Sequence, residues 1–172
     1  QIQSKEVLIC RMIADLLNPR GQHGAGAEYL KIFLKDCLGM EKMDTKLADQ
    51  AIVTAEYAID DERRIDIVIE IGSYFLPIEV KIYAADQKSQ CFDYYQYAKR
   101  RDAQAKVYYL TLDGHRPGKD STSSGNRSVT EEDIVCLSFR VHILNWLKAC
   151  KSCENTGMVP ILEQFIQNIE QI

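Results

Sequence analysis

Asp66, Glu79 and Lys81 are the residues of this 172-residue chain whose types and spacing point most directly to chemistry. Arg64-Ile65-Asp66 is followed, across a Gly72-Ser73 turn, by Ile78-Glu79-Val80-Lys81. On a strand, Glu79 and Lys81 emerge on one face roughly 6.6 Å apart, with apolar neighbours on the other. Charges on a strand that otherwise asks for a buried core are costly unless a metal ion, a substrate or a counter-charge uses them. Phosphodiester hydrolysis is one such use. Asp66 and Glu79 supply hard oxygen ligands for Mg²⁺ or Mn²⁺, the Val80 carbonyl lies between the charged pair as a further ligand, and the ion would polarise a phosphoryl oxygen and acidify water. Lys81 would orient the nucleophile or neutralise developing negative charge. The competing reading is an ion-pair cluster on a solvated sheet face.

These residues need a sheet to hold them. Ile65, Ile67 and Ile69 alternate with Asp66, Val68 and Glu70 as on a half-buried strand, and Ile78, Val80 and Ile82 alternate with Glu79, Lys81 and Tyr83. Residues 50–59 are β-prone and form a strand before this hairpin. Upstream, Val7, Leu8, Ile9, Met12, Ile13, Leu16 and Leu17 keep returning to one helical face over Lys5 to Leu17, until Asn18-Pro19 stops it. After the Gly21 to Gly26 loop, Leu30, Phe33 and Leu34 mark a second helix that ends near Gly39. Downstream, Ala84 to Arg101 lacks Pro and Gly and predicts a helix. A strand over Val107 to Leu112, a mobile loop over Asp113 to Ser128, a strand over Ile134 to Phe139, a helix over Val141 to Cys150 and an amphipathic segment over Pro160 to Ile169 complete the order. The chain therefore predicts one α/β domain of mixed α+β type over residues 1–172, with a mixed sheet between helices.

The hairpin in this context resembles the PD-(D/E)XK nuclease superfamily, with Ile65 in place of the eponymous Pro. That resemblance implies a restriction-endonuclease-like αβββαβ core and a metal-dependent nuclease acting on nucleic acid, DNA in preference to RNA. Gln90-Cys91-Phe92-Asp93-Tyr94 resembles the Q-x-x-x-Y element of RecB-type nucleases, and its spacing puts Gln90 and Tyr94 on one helical face, placed to position a substrate strand. Leu16-Leu17-Asn18-Pro19 and His23-Gly24-Ala25-Gly26 are similar to a bacterial subfamily with a Leu-Leu-x-Pro stop and a His-Gly-x-Gly loop. There an acidic residue early in the first helix joins the metal site, and Glu6 is the matching position. Glu56 matches a further acidic position, as a group behind the site or a surface charge. His23 reads as a substrate contact or as a loop residue that fixes the next helix, and Trp146 reads as core.

The formal net charge of -4 excludes a strongly basic, non-specific nucleic-acid coat. Its distribution is uneven: Lys99 to Arg127 holds seven Lys or Arg against three Asp. Arg100, Arg101, Arg116, Lys119 and Arg127 are candidates for phosphate contacts, which position a nucleic acid without reading it. Cysteines at 10, 37, 91, 136, 150 and 153 read as buried free thiols, including the Cys150-x-x-Cys153 pair, which has no second pair to complete a zinc site. The absence of a membrane-length apolar run and of a signal-peptide profile leads to the expectation of a cytoplasmic protein. The first residue is not Met, which fits a trimmed chain or a piece of a longer one. The rival to an enzyme is an inactive nuclease-fold module that binds nucleic acid or protein.

Overall fold

Ile13, Leu16 and Leu17 share one side of the first helix, α1 (Ile2–Leu17), and all are buried. The computed structural model describes residues 2–154 and 156–172. α1 stops at Asn18-Pro19, where the proline lacks an N–H and its ring disfavours helical backbone at the residue before it. The loop that follows is pinned by His23. Its Nδ1 accepts from the Ala25 amide at 3.0 Å, so Nε2 carries the proton and donates to the Asn18 carbonyl at 2.8 Å. His23 thus serves as the loop residue that joins the end of α1 to the start of α2 (Glu28–Asp36).

A short helix, α3 (Thr45–Ala48), is capped by Asp44, whose carboxylate accepts from the Lys46 amide. Three strands follow, β1 (Ile52–Ala58), β2 (Arg64–Ile71) and β3 (Tyr74–Lys81), then α4 (Gln90–Arg101) and β4 (Val107–Thr111). After α5 (Lys119–Thr122) and the two-stranded hairpin β5 (Ser123–Ser124) and β6 (Arg127–Ser128), the chain returns to the sheet as β7 (Ile134–Ser138). One π-type turn, Phe139–Ile143, leads into α6 (Leu144–Lys151), and α7 (Val159–Glu170) closes the chain. The main sheet runs β1-β2-β3-β4-β7, antiparallel across its first three strands and parallel across β3, β4 and β7. The expected mixed sheet is therefore present, and the expected order of elements holds with α3, α5 and the β5–β6 hairpin added to it.

Two cores sandwich this sheet. One packs α1, α2, α6 and α7 against Ile67, Ile69, Leu76, Ile78, Val80 and Leu110. The other packs Cys91, Tyr94 and Ala98 of α4 against Val68, Phe75, Val107 and Tyr109. Trp146 is wholly buried in the first core, as expected, and its indole donates to the Tyr29 carbonyl at 2.8 Å. The six cysteines are free thiols, and Cys153 donates to the Ala149 carbonyl instead of meeting a metal ligand. Among the described residues no helix is long and apolar enough to cross a membrane.

Four sequence expectations need correction. β2 is covered on both faces, because α4 buries Val68 as fully as the first core buries Ile67. β3 starts at Tyr74, ahead of the residue 78 expected. Pro77 is tolerated because pairing to β4 begins only at Ile78, so no partner strand needs its missing N–H. α4 starts at Gln90 and not at Ala84, since residues 82–89 spend their polar groups on tertiary contacts: the Ala85 carbonyl accepts from Lys81, the Asp86 carboxylate from Tyr109 and Gly118, and the Ser89 amide donates to the Asp120 carbonyl at 2.7 Å. The other end of those contacts explains the fourth correction, for the stretch expected to be a mobile loop contains α5 and the β5–β6 hairpin. Ser121 is fully buried there, and its hydroxyl accepts from the Cys91 amide.

Two glycines of the α1–α2 loop differ in a way that can be measured. A Cβ on Gly21 would lie 2.3 Å from the Asp15 carbonyl oxygen, whereas one on Gly26 would meet nothing within 4 Å and would carry only the strain of a φ of +58°. Gly21→Ala is expected to destabilise the fold by about 3 kcal/mol and Gly26→Ala by about 1 kcal/mol. Denaturant midpoints read both, and equal values would show that the Asp15 contact does not constrain the loop.

Candidate active site

Pairing between β2 and β3 runs from Ile71↔Tyr74 to Ile67↔Ile78 and ends there. Asp66, the next residue of β2, takes over the role of the missing rung with its side chain: Oδ2 accepts from the Val80 amide at 2.7 Å. The β1–β2 ladder is also interrupted at this level, with Ala55↔Ile67 and Tyr57↔Ile65 paired but Glu56 and Asp66 not. Glu56 has a φ of +54°, a left-handed conformation that costs a non-glycine residue about 1–2 kcal/mol. A local break in pairing is a common way to re-aim side chains beside a functional site.

Glu79 and Lys81 share the face of β3 that looks toward α4, as strand alternation requires. They are 2 % and 8 % exposed, so the solvated ion-pair reading fails on burial. The Lys81 ammonium lies 3.5 Å from Glu79 Oε2 and donates to the Ala85 carbonyl at 3.2 Å. Among the described residues no N–H or O–H donor reaches the buried Glu79 Oε1. Burial pushes the Glu79 carboxyl well above the usual carboxylate range; the charge of Asp66 and a hydrogen-bonding contact with it push the same way, and Lys81 offsets this only in part. Glu79 is therefore held toward its protonated form.

The other expected residues converge unevenly. Glu6, buried on α1, accepts from the Ile82 amide at Oε1 (2.6 Å). Behind it the Cys10 thiol is pushed far up by burial and then by the charges of Asp66, Glu6 and Glu79, which keeps it protonated. Gln90 and Tyr94 do share one face of α4, but they bond to the protein: Gln90 Nε2 donates to the Tyr94 hydroxyl at 3.2 Å, and that hydroxyl donates to the Arg64 carbonyl at 2.6 Å. They hold the start of β2, two residues before Asp66. Gln90 Oε1 remains buried without a partner.

All of these groups line one cleft of about 250 Å³. Glu56 lies on its wall, paired with Arg11 at 3.1 Å on an exposed flank. Sequence reasoning missed Arg11, Arg63 and Arg64 as wall residues. Arg63 ties the cleft together, reaching Asp93 at 3.0 Å, Gln87 at 3.0 Å and the Lys88 carbonyl. Adjacency to Asp66 in the chain is the signal that could have found Arg63 and Arg64; nothing in the sequence marks Arg11. None of the five residues expected to meet phosphate lines this cleft. Arg100 and Arg101 lie at the far end of α4, about 16 Å of helix from Gln90, and Arg101 is occupied by Tyr57, Glu70 and the rings of Phe75 and Tyr97. Arg116, Lys119 and Arg127 gather instead in a second cleft.

Among the described residues, no three His, Cys, Asp or Glu side chains converge as a ready cage for a metal ion. The donor set nevertheless fits a hard divalent cation. Mg²⁺ is commonly held by one or two carboxylates, with water and substrate oxygens completing its shell. Asp66, Glu79 and the Val80 carbonyl meet that requirement, and the orphaned Glu79 Oε1 is the buried acceptor that such an ion would satisfy.

Neither the curated proteins nor the solved structures give a match to this chain. A family model described as the PD-(D/E)XK nuclease superfamily matches residues 1–167. The mixed five-stranded sheet between helices agrees with the restriction-endonuclease-like fold of that group. Because the match extends from α1 into α7 and takes in the broken rung, the β3 pair and the helix that backs them, the chain belongs to the PD-(D/E)XK nuclease superfamily.

Proposed function

We propose that this chain is an active nuclease that uses Mg²⁺ or Mn²⁺ to hydrolyse phosphodiester bonds of nucleic acid, DNA in preference to RNA, in the cleft around Asp66. The observation that carries the reading is the unpartnered Glu79 Oε1, buried beside Asp66 and Lys81. A lone acceptor there costs roughly 1–3 kcal/mol or more in a fold with no use for it. Asp66, Glu79 and the Val80 carbonyl would hold the ion. Glu6 Oε1 is committed to the Ile82 amide, which leaves Oε2 for one of the ion's waters. When bound, a divalent ion supplies a Lewis acid for the phosphoryl group and water of lowered pKa.

The chain's own groups supply the rest. Lys81 has three N–H donors. Glu79 and Ala85 engage it on two sides, so the third is available to orient a water or to meet charge that builds on the phosphate. Gln90 and Tyr94 act one step back, holding the Arg64 carbonyl so that Asp66 stays directed at the Val80 amide. Arg64 stands exposed on the cleft wall, with no ion pair among the described residues, and is placed to contact a substrate phosphate.

Asp66→Ala, Glu79→Ala and Lys81→Ala should each lower magnesium-dependent cleavage of single- and double-stranded DNA and RNA by about a hundredfold or more. Equal turnover by all three and the parent would defeat the assignment. Metal-independent binding without cleavage by any of the four would leave the inactive binding module in its place.

Proton linkage gives a second expectation. Glu79 titrates higher in the folded chain than its ordinary 4.5, so its contribution to stability is complete below that pH and is lost as pH rises through the raised value. The metal-free protein should therefore melt at lower temperature as pH increases from acid toward neutral, and Glu79→Gln should flatten the trend. Added Mg²⁺ should raise the melting temperature most at the higher pH, where the carboxylate is free to bind it. Thermal melts at several pH values with and without Mg²⁺ read this, and a magnesium shift independent of both pH and Glu79 would count against the site.

A further inference from the structure

The chain carries four more acidic than basic groups over its whole length, yet one surface departs from that balance. Arg116, Lys119 and Arg127 line a groove of about 540 Å³ in which Glu131 is the sole facing carboxylate, whereas in the cleft around Asp66 five carboxylates face four cations. All three cations are exposed. They come from separate turns of the segment between β4 and β7, so tertiary folding collects them. Arg116 is held open by its bond to the Glu131 carbonyl at 2.9 Å, and the Arg127 guanidinium rests 5.3 Å from the centre of the Phe92 ring on α4. Lys119 has no ion pair or hydrogen bond from its ammonium among the described residues.

This groove is fastened to the stretch that follows Lys81. The Gly118 amide donates to Asp86 at 2.8 Å and the Ser89 amide to the Asp120 carbonyl. The Ser89 hydroxyl donates to the Ser123 carbonyl, and the Cys91 amide to the Ser121 hydroxyl. Residues 82–91, which these bonds hold, run from the end of β3 at Lys81 into α4 and contribute Ala84, Gln87 and Gln90 to the acidic cleft, so the two clefts border one shared stretch of chain. A basic groove at a fixed offset from an acidic, cation-collecting cleft has the charge pattern of a surface that follows a polyanion.

We infer that Arg116, Lys119 and Arg127 form a second binding site that takes the sugar-phosphate backbone of the polynucleotide to one side of the bond cut at Asp66. The site rests on the proposed nuclease reading for its link to turnover, but not for binding itself. Phosphate contacts of this kind add affinity without reading sequence, and each releases counterions. A substrate must then be long enough to cross residues 82–91 to use it, and a small phosphodiester gains nothing from it.

The test compares the parent protein with R116A/K119A/R127A in two assays. Binding of a fluorescent oligonucleotide that spans both clefts, as DNA and as RNA, is measured without divalent ions over a salt series. Magnesium-dependent hydrolysis of bis(p-nitrophenyl) phosphate reports the acidic cleft alone. The expected result is an oligonucleotide affinity lowered by about tenfold or more and a log Kd against log salt slope flattened by about two to three, with hydrolysis of the small diester unchanged. Since Arg116 also holds the Glu131 carbonyl, Lys119→Ala and Arg127→Ala are measured singly, and each should flatten the slope by about one should the triple variant fail to fold. Affinity and slope equal to the parent's in those two overturn the inference, as does tighter binding of an acidic peptide than of the oligonucleotide. A parent that cleaves neither the small diester nor the oligonucleotide with Mg²⁺, while the variants still lose affinity and slope, refutes the nuclease reading and leaves the groove standing.

Discussion

The hydrogen bond from the Val80 amide to Asp66 Oδ2 is the constraint on which the site depends. A sheet would ordinarily satisfy that amide with a backbone carbonyl of β2, and the side chain would then be free to face away. Here the carboxylate takes the amide, so Asp66 is held at the level of Glu79 while one of its oxygens remains available to the cleft. The arrangement solves a packing problem as well. β2 and β3 part beyond Ile67↔Ile78, and an unpaired amide left in that gap would be costly. The same interaction closes the ladder and directs a carboxylate oxygen toward the cleft, so loss of Asp66 removes both.

Glu79 and Lys81 raise a different question, because a buried ion pair is weak evidence for stability. Desolvation of two charges commonly exceeds what their attraction returns, and apolar residues of similar volume often serve a core better. Glu79 goes further, with one oxygen unpartnered and its carboxyl held toward the neutral form by burial and by Asp66. Strain accumulates at the same place. Glu56 and Ser89 are the two non-glycine residues with positive φ among those described. One stands opposite Asp66 on β1 and the other immediately precedes Gln90 on α4. Costs placed this close to one cleft, in a fold that is otherwise apolar on both sides of its sheet, mark a region arranged for binding and not for stability.

Much of this arrangement is legible in the sequence, for identifiable reasons. Period-two alternation at Ile78, Val80 and Ile82 fixes which face Glu79 and Lys81 share, and a four-residue spacing places Gln90 and Tyr94 on one side of α4. Local pattern carries those facts. The start of α4 is not legible because Ala84 to Ser89 has no helix breaker; what unwinds it is tertiary, the demand of Tyr109, Gly118 and Asp120 for partners in that stretch. The segment before β7 is illegible for the converse reason: its Gly, Ser and Pro content describes a loop, and only the burial of Ser121 against α4 turns it into structure. Arg11 belongs to the cleft through the crossing of α1 over β1, which no local pattern reports.

The position of α4 connects these points. Its N-terminal turn brings Gln90 and Tyr94 to the acidic cleft, its apolar face covers the second side of the sheet, and its first residues anchor the segment that carries Arg116, Lys119 and Arg127. Cys91 is wholly buried between these roles, with its amide on Ser121 and its side chain in the second core. A shift of that helix along its axis would therefore disturb the Arg64 carbonyl, the Lys81 to Gln90 loop and the basic groove together. The residues of the acidic cleft and those of the basic groove are thus referred to one rigid element, which fixes their separation.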